Sequence, residues 1–217
     1  MRTLMIVMVL AFVTLIWAGG ITCVDIQPKA NHRLDRSLHN DADEQGNDLS
    51  RLPKGEQKFG GVDFKIGPAM LQLGSTVYAS KPLRIEGIKV GSTFSKLHLL
   101  HATGFGNAPV DNPAHVANGT LIAEYILRFE DKSVIRHPVV FGTDVKDWWG
   151  GRQDKDLKRG KIVWRGTNKV AEGAGTELHL FLTSWQNPKP NVKVETIDFV
   201  SAGDTAAAPF CVAMTVE

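Results

Sequence analysis

Cysteine is almost absent. The 217 residues hold two, Cys23 and Cys211, too few for a disulfide-stapled scaffold or a zinc site built from four cysteines. No charge of one sign dominates: 25 Lys+Arg oppose 23 Asp+Glu. That balance excludes the basic excess of a nucleic-acid binder. The G-x-S-x-G elbow, the H-E-x-x-H helix and the glycine-rich phosphate loop are all missing. The commonest hydrolase, zinc-protease and nucleotide signatures go with them. From Phe59 onward no 3.6-residue apolar period persists for a dozen residues, which argues against a helical core.

Three unlike segments are present. Residues 3–24 carry no charge, and an apolar run extends from Leu4 to Trp17, broken only by Thr14. Its core of about 14 residues has the length of a secretory h-region, and the whole uncharged stretch of about 22 is long enough to cross a bilayer. Residues 1–24 are therefore expected to be a signal peptide or a single transmembrane anchor, with Ala18-Gly19-Gly20 as the small residues a signal peptidase reads. Gly20-Ile21-Thr22 before Cys23 departs from the aliphatic-then-small pattern of a lipidated cysteine. Either reading exports the body of the protein, membrane-anchored by one N-terminal helix or secreted or periplasmic after cleavage.

Residues 25–58 read as a flexible polar linker. Between Gln27 and Gln57 lie eleven charges and no aromatic or β-branched residue, too little apolar surface to offset ordering entropy. Leu34 and Leu38, at i,i+4, could support one helical turn.

Residues 59–217 alternate with period two between Gly, Pro, Asn and Asp breaks. Leu121, Ala123, Tyr125, Leu127 and Phe129 fall on one strand face, and Leu178, Leu180 and Leu182 on another. Leu83 and Ile85 change parity to Ile88 and Val90 across Gly87, and Val192 and Val194 change parity to Ile197 and Phe199. A β-bulge in each would restore one face. About ten short strands predict an all-β fold, an antiparallel β-sandwich or jelly roll, preceded by the hydrophobic helix and the disordered linker. About 160 residues suffice for one such domain.

The chemistry-bearing residues gather at strand ends. Asp144, Asp147, Trp148 and Trp149 follow one strand, and Trp185 and Asn187 end another. Aromatic rings stack on the apolar faces of sugars, while carboxylates and amides bond their hydroxyls. Trp148, Trp149 and Trp185 are thus candidate stacking surfaces, and Asp144, Asp147 and Asn187 candidate polar contacts. The competing reading puts the tryptophans in the core. His98 and His101 form an HxxH pair, but an odd spacing on a strand sends them to opposite faces. Glu195 with Asp198, or Asp144 with Asp147, could supply the two carboxylates of a glycosidase, although isolated strand carboxylates are usually solvated. The cationic run Arg152–Lys161 is interrupted by Asp154 and Asp156.

The series Leu97-His98-Leu99-Leu100-His101-Ala102, Phe141-Gly142-Thr143-Asp144-Val145-Lys146-Asp147-Trp148-Trp149, Trp164-Arg165-Gly166-Thr167-Asn168, Trp185-Gln186-Asn187-Pro188-Lys189-Pro190 and Ile197-Asp198-Phe199-Val200-Ser201 resembles a family of bacterial envelope proteins with galactose-binding-like jelly rolls. That is the fold of many carbohydrate-binding modules. The resemblance implies a noncatalytic exported β-sandwich binding a glycan or another envelope ligand. It leaves catalytic and metal residues unassigned and implies no cofactor. Many members of this fold hold a structural calcium, but Asp144 and Asp147 are too few ligands for one. The alternatives are a structural or protein-interaction module and a small glycan-active hydrolase. The expected partners are a glycan or an envelope protein, and a membrane through the N-terminal segment if it stays uncleaved.

Overall fold

A computed structural model describes residues 20–38 and 46–217. Its strands are β1 (Thr22–Val24), β2 (His32–Arg33), β3 (Gly55–Phe59), β4 (Val62–Ile66), β5 (Ala69–Gln72), β6 (Arg84–Ser92), β7 (Lys96–Gly104), β8 (Leu121–Phe129), β9 (Val134–Val140), β10 (Trp149–Gly150), β11 (Lys161–Gly166), β12 (Glu177–Gln186), β13 (Val194–Ser201) and β14 (Ala208–Val216). One short helix, α1 (Lys169–Ala174), precedes β12.

The fold is an antiparallel β-sandwich. The larger sheet runs β10-β12-β7-β14-β5-β2, with β11 also on β12 and β1 also on β14. The smaller sheet runs β6-β13-β8-β9, and β3 and β4 form a hairpin. Leu97, Leu99, Leu100, Tyr125, Leu127, Phe199, Phe210 and Met214 are buried in one continuous core. β14 and most of β12 are covered on both faces, as expected of strands central to a sheet. On one side, Gly60 in the β3–β4 turn, at φ +59, lies so close that a Cβ there would stand 2.7 Å from Leu182 and Val163.

Both expected phase slips are bulges. Between Ile197–Phe199 of β13 and Ile88–Ile85 of β6 the register shifts by one residue. Gly87 occupies the extra position at φ +70, a conformation suited to glycine. A second shift, at Val194–Thr196 against Arg128–Phe129 of β8, lets Val194, Ile197 and Phe199 all reach the core. A third bulge changes an expectation. β8 slips between Leu121 and Ala123 against β9, so Ile122 enters the core and Leu121 is 43% exposed.

Much of the stretch expected to be a flexible linker, residues 26–38 and 47–52, is packed on the sandwich, while 53–58 are mostly exposed and lead into the β3–β4 hairpin. Leu34, Leu38, Leu49 and Leu52 are buried in the common core. Their backbones are tied as well: Leu34 N–H donates to Pro68 O at 3.0 Å, Leu49 N–H to Leu34 O at 2.8 Å, and Leu38 N–H to Asn47 O at 3.0 Å. The stretch's own apolar surface is small, but these leucines bury against surface supplied by distant strands. Of the hydrophobic segment expected over residues 1–24, residues 1–19 lie outside the described residues. Thr22–Val24, the end of the expected leader, is strand β1, with Thr22 opposite Val216 and Val24 opposite Met214. Among the described residues no helix is long and apolar enough to cross a membrane.

Candidate functional site

The loop from β9 to β10 carries four of the expected site residues, and it divides them. Gly142 turns it at φ +75, where a Cβ would meet the Asn118 side chain at 2.1 Å. Asp144, fully buried, receives Arg159 through both carboxylate oxygens, Nε to Oδ1 at 2.7 Å and Nη2 to Oδ2 at 2.6 Å. Val140 N–H donates to Oδ2 at 2.8 Å. Charge-assisted bonds of this kind hold loops in place, and hydrogen bonding to Asp144 raises the Arg159 pKa. Asp144 is therefore the loop's internal staple, not a ligand contact as expected.

Trp148 and Trp149 are successive residues and point to opposite sides. Trp148 is 0% exposed and meets Phe210 edge-on at 6.2 Å. No ligand can stack on it. Trp185, 8% exposed, lies flat on His137 at 5.1 Å and packs on His101 and Tyr125, so its ring is occupied too. Asn187 donates from Nδ2 to Phe94 O at 3.0 Å and accepts from Lys189 N–H at 2.9 Å, which makes it the organiser of its own turn. Trp185 also lies too far away to join Trp149. Trp149 pairs with Leu178, seven residues back along β12, a separation of about 23 Å. Of the six expected contacts, Trp148, Trp185, Asp144 and Asn187 are structural for these reasons.

Trp149 and Asp147 come together. They line a cavity of 340 Å³ with Asn47, Phe105, Gly106, Asn107, Ala108 and Ala114. β10 places Trp149 at the end of the larger sheet, and the loop after β7 supplies the opposite wall. Asp147, 7% exposed, accepts Trp149 N–H on Oδ1 at 3.0 Å and Asn107 N–H on Oδ2 at 3.3 Å. Burial nevertheless pushes its pKa up to about 6, because two backbone donors only partly replace lost water. Asn107 Nδ2 donates to Trp149 O at 2.7 Å. Trp149 Nε1 donates to Asn47 Oδ1 at 3.1 Å, and Asn168 Nδ2 donates to the same oxygen at 3.3 Å. Asn168 is itself the N-cap of α1, accepting Ala171 N–H at 2.7 Å. The helix thereby fixes the amide that fixes the tryptophan.

The facing backbone is unusual. Phe105 holds φ +56, which non-glycine residues rarely adopt, and Gly106 follows at φ +141. A Cβ on Gly106 would stand 2.7 Å from the Phe141 ring. Residues held in such conformations cost about 1–3 kcal/mol and gather at ligand sites. Sequence reasoning missed Phe105, Asn107 and Asn47. Gly104-Phe105-Gly106-Asn107 carried only a turn signal, and Asn47 sat in the presumed linker.

The other candidate groups are separate. His98 Nδ1 meets Ser184 Oγ at 2.7 Å, whereas His101 Nε2 meets Thr183 Oγ1 at 2.9 Å, so the HxxH pair shares no ligand. Burial lowers His101 to about 4. Asp198 is held by Arg128 Nε at 2.7 Å and Gly87 N–H at 2.9 Å. Cys211 is buried and its thiol is pushed up to about 12. Among the described residues no three His, Cys, Asp or Glu side chains converge as a metal site. In comparison with known proteins, no protein-family model and no curated protein matches this chain.

Proposed function

We propose that the protein is a noncatalytic ligand-binding β-sandwich module and that its ligand, a carbohydrate, sits in the cavity between Trp149 and the Phe105–Ala108 wall. The supporting observation is the pairing of a partly exposed indole with a carboxylate and two amides in one concavity. Trp149 would stack on an apolar sugar face, and Asp147 would accept a hydroxyl proton. Small-ligand sites have this composition, mostly apolar walls with a few convergent polar groups. The finer resemblance to galactose-binding-like modules of bacterial envelope proteins, export through the N-terminal segment, and a tether to the membrane if that segment stays uncleaved belong to the same proposal.

A second reading, a structural or protein-interaction module, is favoured by the burial of Trp148 and Trp185. A glycan array followed by titration calorimetry separates the two. The expected result is saturable binding of at least one oligosaccharide, weakened at least about tenfold by Trp149→Ala, since an aromatic contact contributes about 1.5 kcal/mol or more. Binding that survives Trp149→Ala, or no binding by a folded parent, removes the site.

A further inference from the structure

A second concavity lies elsewhere, on the stretch whose composition suggested a linker. Asn31, His32, Arg33, Arg36, Ser37 and Lys81 line a groove of 330 Å³. The wall is held firmly. Asn31 N–H donates to Met70 O at 3.1 Å, its Nδ2 to Gln72 O at 2.9 Å, and its Oδ1 accepts Gln72 N–H at 2.8 Å. Arg36 N–H closes a turn onto Arg33 O at 3.2 Å, and His32 Nε2 meets Arg36 O at 3.2 Å.

Three cations therefore stand around a small space that no carboxylate among the described residues lines. Asp35 offsets one of them, holding Arg33 through bonds of 2.8 and 2.6 Å. The Arg36 guanidinium makes no hydrogen bond or ion pair among the described residues, and Lys81 Nζ reaches only Asn31 O at 3.4 Å. Among the described residues the Ser37 hydroxyl oxygen, shut off from bulk water, has no partner. A closed-off hydroxyl normally finds one. Arg36 and Lys81, two cations with unused donors on a groove lined by no carboxylate among the described residues, suit an anion with three or four acceptor oxygens.

We propose that this groove binds a tetrahedral oxyanion, a phosphate or sulfate group, with Arg36 as its fork donor and Lys81 as its point charge. The site is distinct from the Trp149 cavity and stands or falls independently of it. The test is calorimetric titration of the full chain with sodium phosphate, and separately with sodium sulfate and acetate, at constant ionic strength in chloride. One saturable phosphate or sulfate site is expected, with acetate weaker. Arg36→Ala and Lys81→Ala should each weaken it by about tenfold, while Arg152→Ala, an exposed cation outside the groove, leaves it unchanged. Vesicles of phosphatidylcholine with and without phosphatidic acid then locate the oxyanion's source. Co-sedimentation that needs both phosphatidic acid and Arg36 identifies a lipid headgroup, and saturable inorganic phosphate without it identifies a soluble ligand. No saturable oxyanion binding, or an equal loss in Arg152→Ala, overturns the site.

Discussion

Asp147→Asn keeps the side chain's shape and deletes its titration. In the folded protein burial raises the carboxyl from 3.8 to about 6. As pH rises from about 4 to 6, the unfolded chain ionises first, so ionisation draws the protein toward unfolding. The stabilising contribution is complete below the unfolded value and is lost as pH passes the folded one. A shift of about 2 units corresponds to about 3 kcal/mol. His101 acts in the opposite sense. Its folded pKa is lowered to about 4, so the unfolded chain takes up its proton first and stability falls as pH drops from about 6.5 to 4. The two windows overlap, and in the parent their slopes oppose each other. The useful quantity is therefore the difference between parent and variant. Urea unfolding of both at intervals from pH 4 to 7.5 should show Asp147→Asn gaining about 2–3 kcal/mol relative to the parent between pH 4 and 7. All other titrating groups cancel in that difference. A difference that stays constant across the range would refute the assignment of Asp147 as a desolvated carboxyl.

Two further outcomes test the framework of the site and the packing beneath the groove. Arg159→Ala leaves the buried Asp144 carboxylate with only the Val140 N–H among the described residues and should cost about 3 kcal/mol in denaturant unfolding, with Arg159→Lys recovering part of it. Leu34→Ala and Leu49→Ala remove side chains that are 0% and 1% exposed, and each should cost about 2–4 kcal/mol. Unchanged unfolding midpoints would show the stretch to be a free linker after all.

The strands and their irregularities were legible because alternation is local. The parity change across Gly87 announces its bulge in the sequence, since a one-residue slip would otherwise turn Ile88 away from the core. The bulge after Leu121 carries no such mark. Leu121 and Ile122 are both apolar, and only the pairing with Val140 and Val139 decides which of them faces in. The loop residues were legible as a group: Asp144, Asp147, Trp148 and Trp149 do gather after β9. Their division into a staple, a core residue and a cavity wall depends on Arg159, Phe210 and Asn107, each brought in from elsewhere along the chain.

Sequence by itself determined the fold class, because period-two alternation between turn residues leaves few architectures other than a sandwich. It also determined that Asp144, Asp147, Trp148 and Trp149 gather at one strand end. Which of the two tryptophans lines the cavity was decided by the tertiary structure, as was the burial of four leucines in a stretch too polar to fold alone. The physical reason is common to both. Desolvation of a side chain depends on the surface laid against it, and that surface comes from residues far away in the sequence.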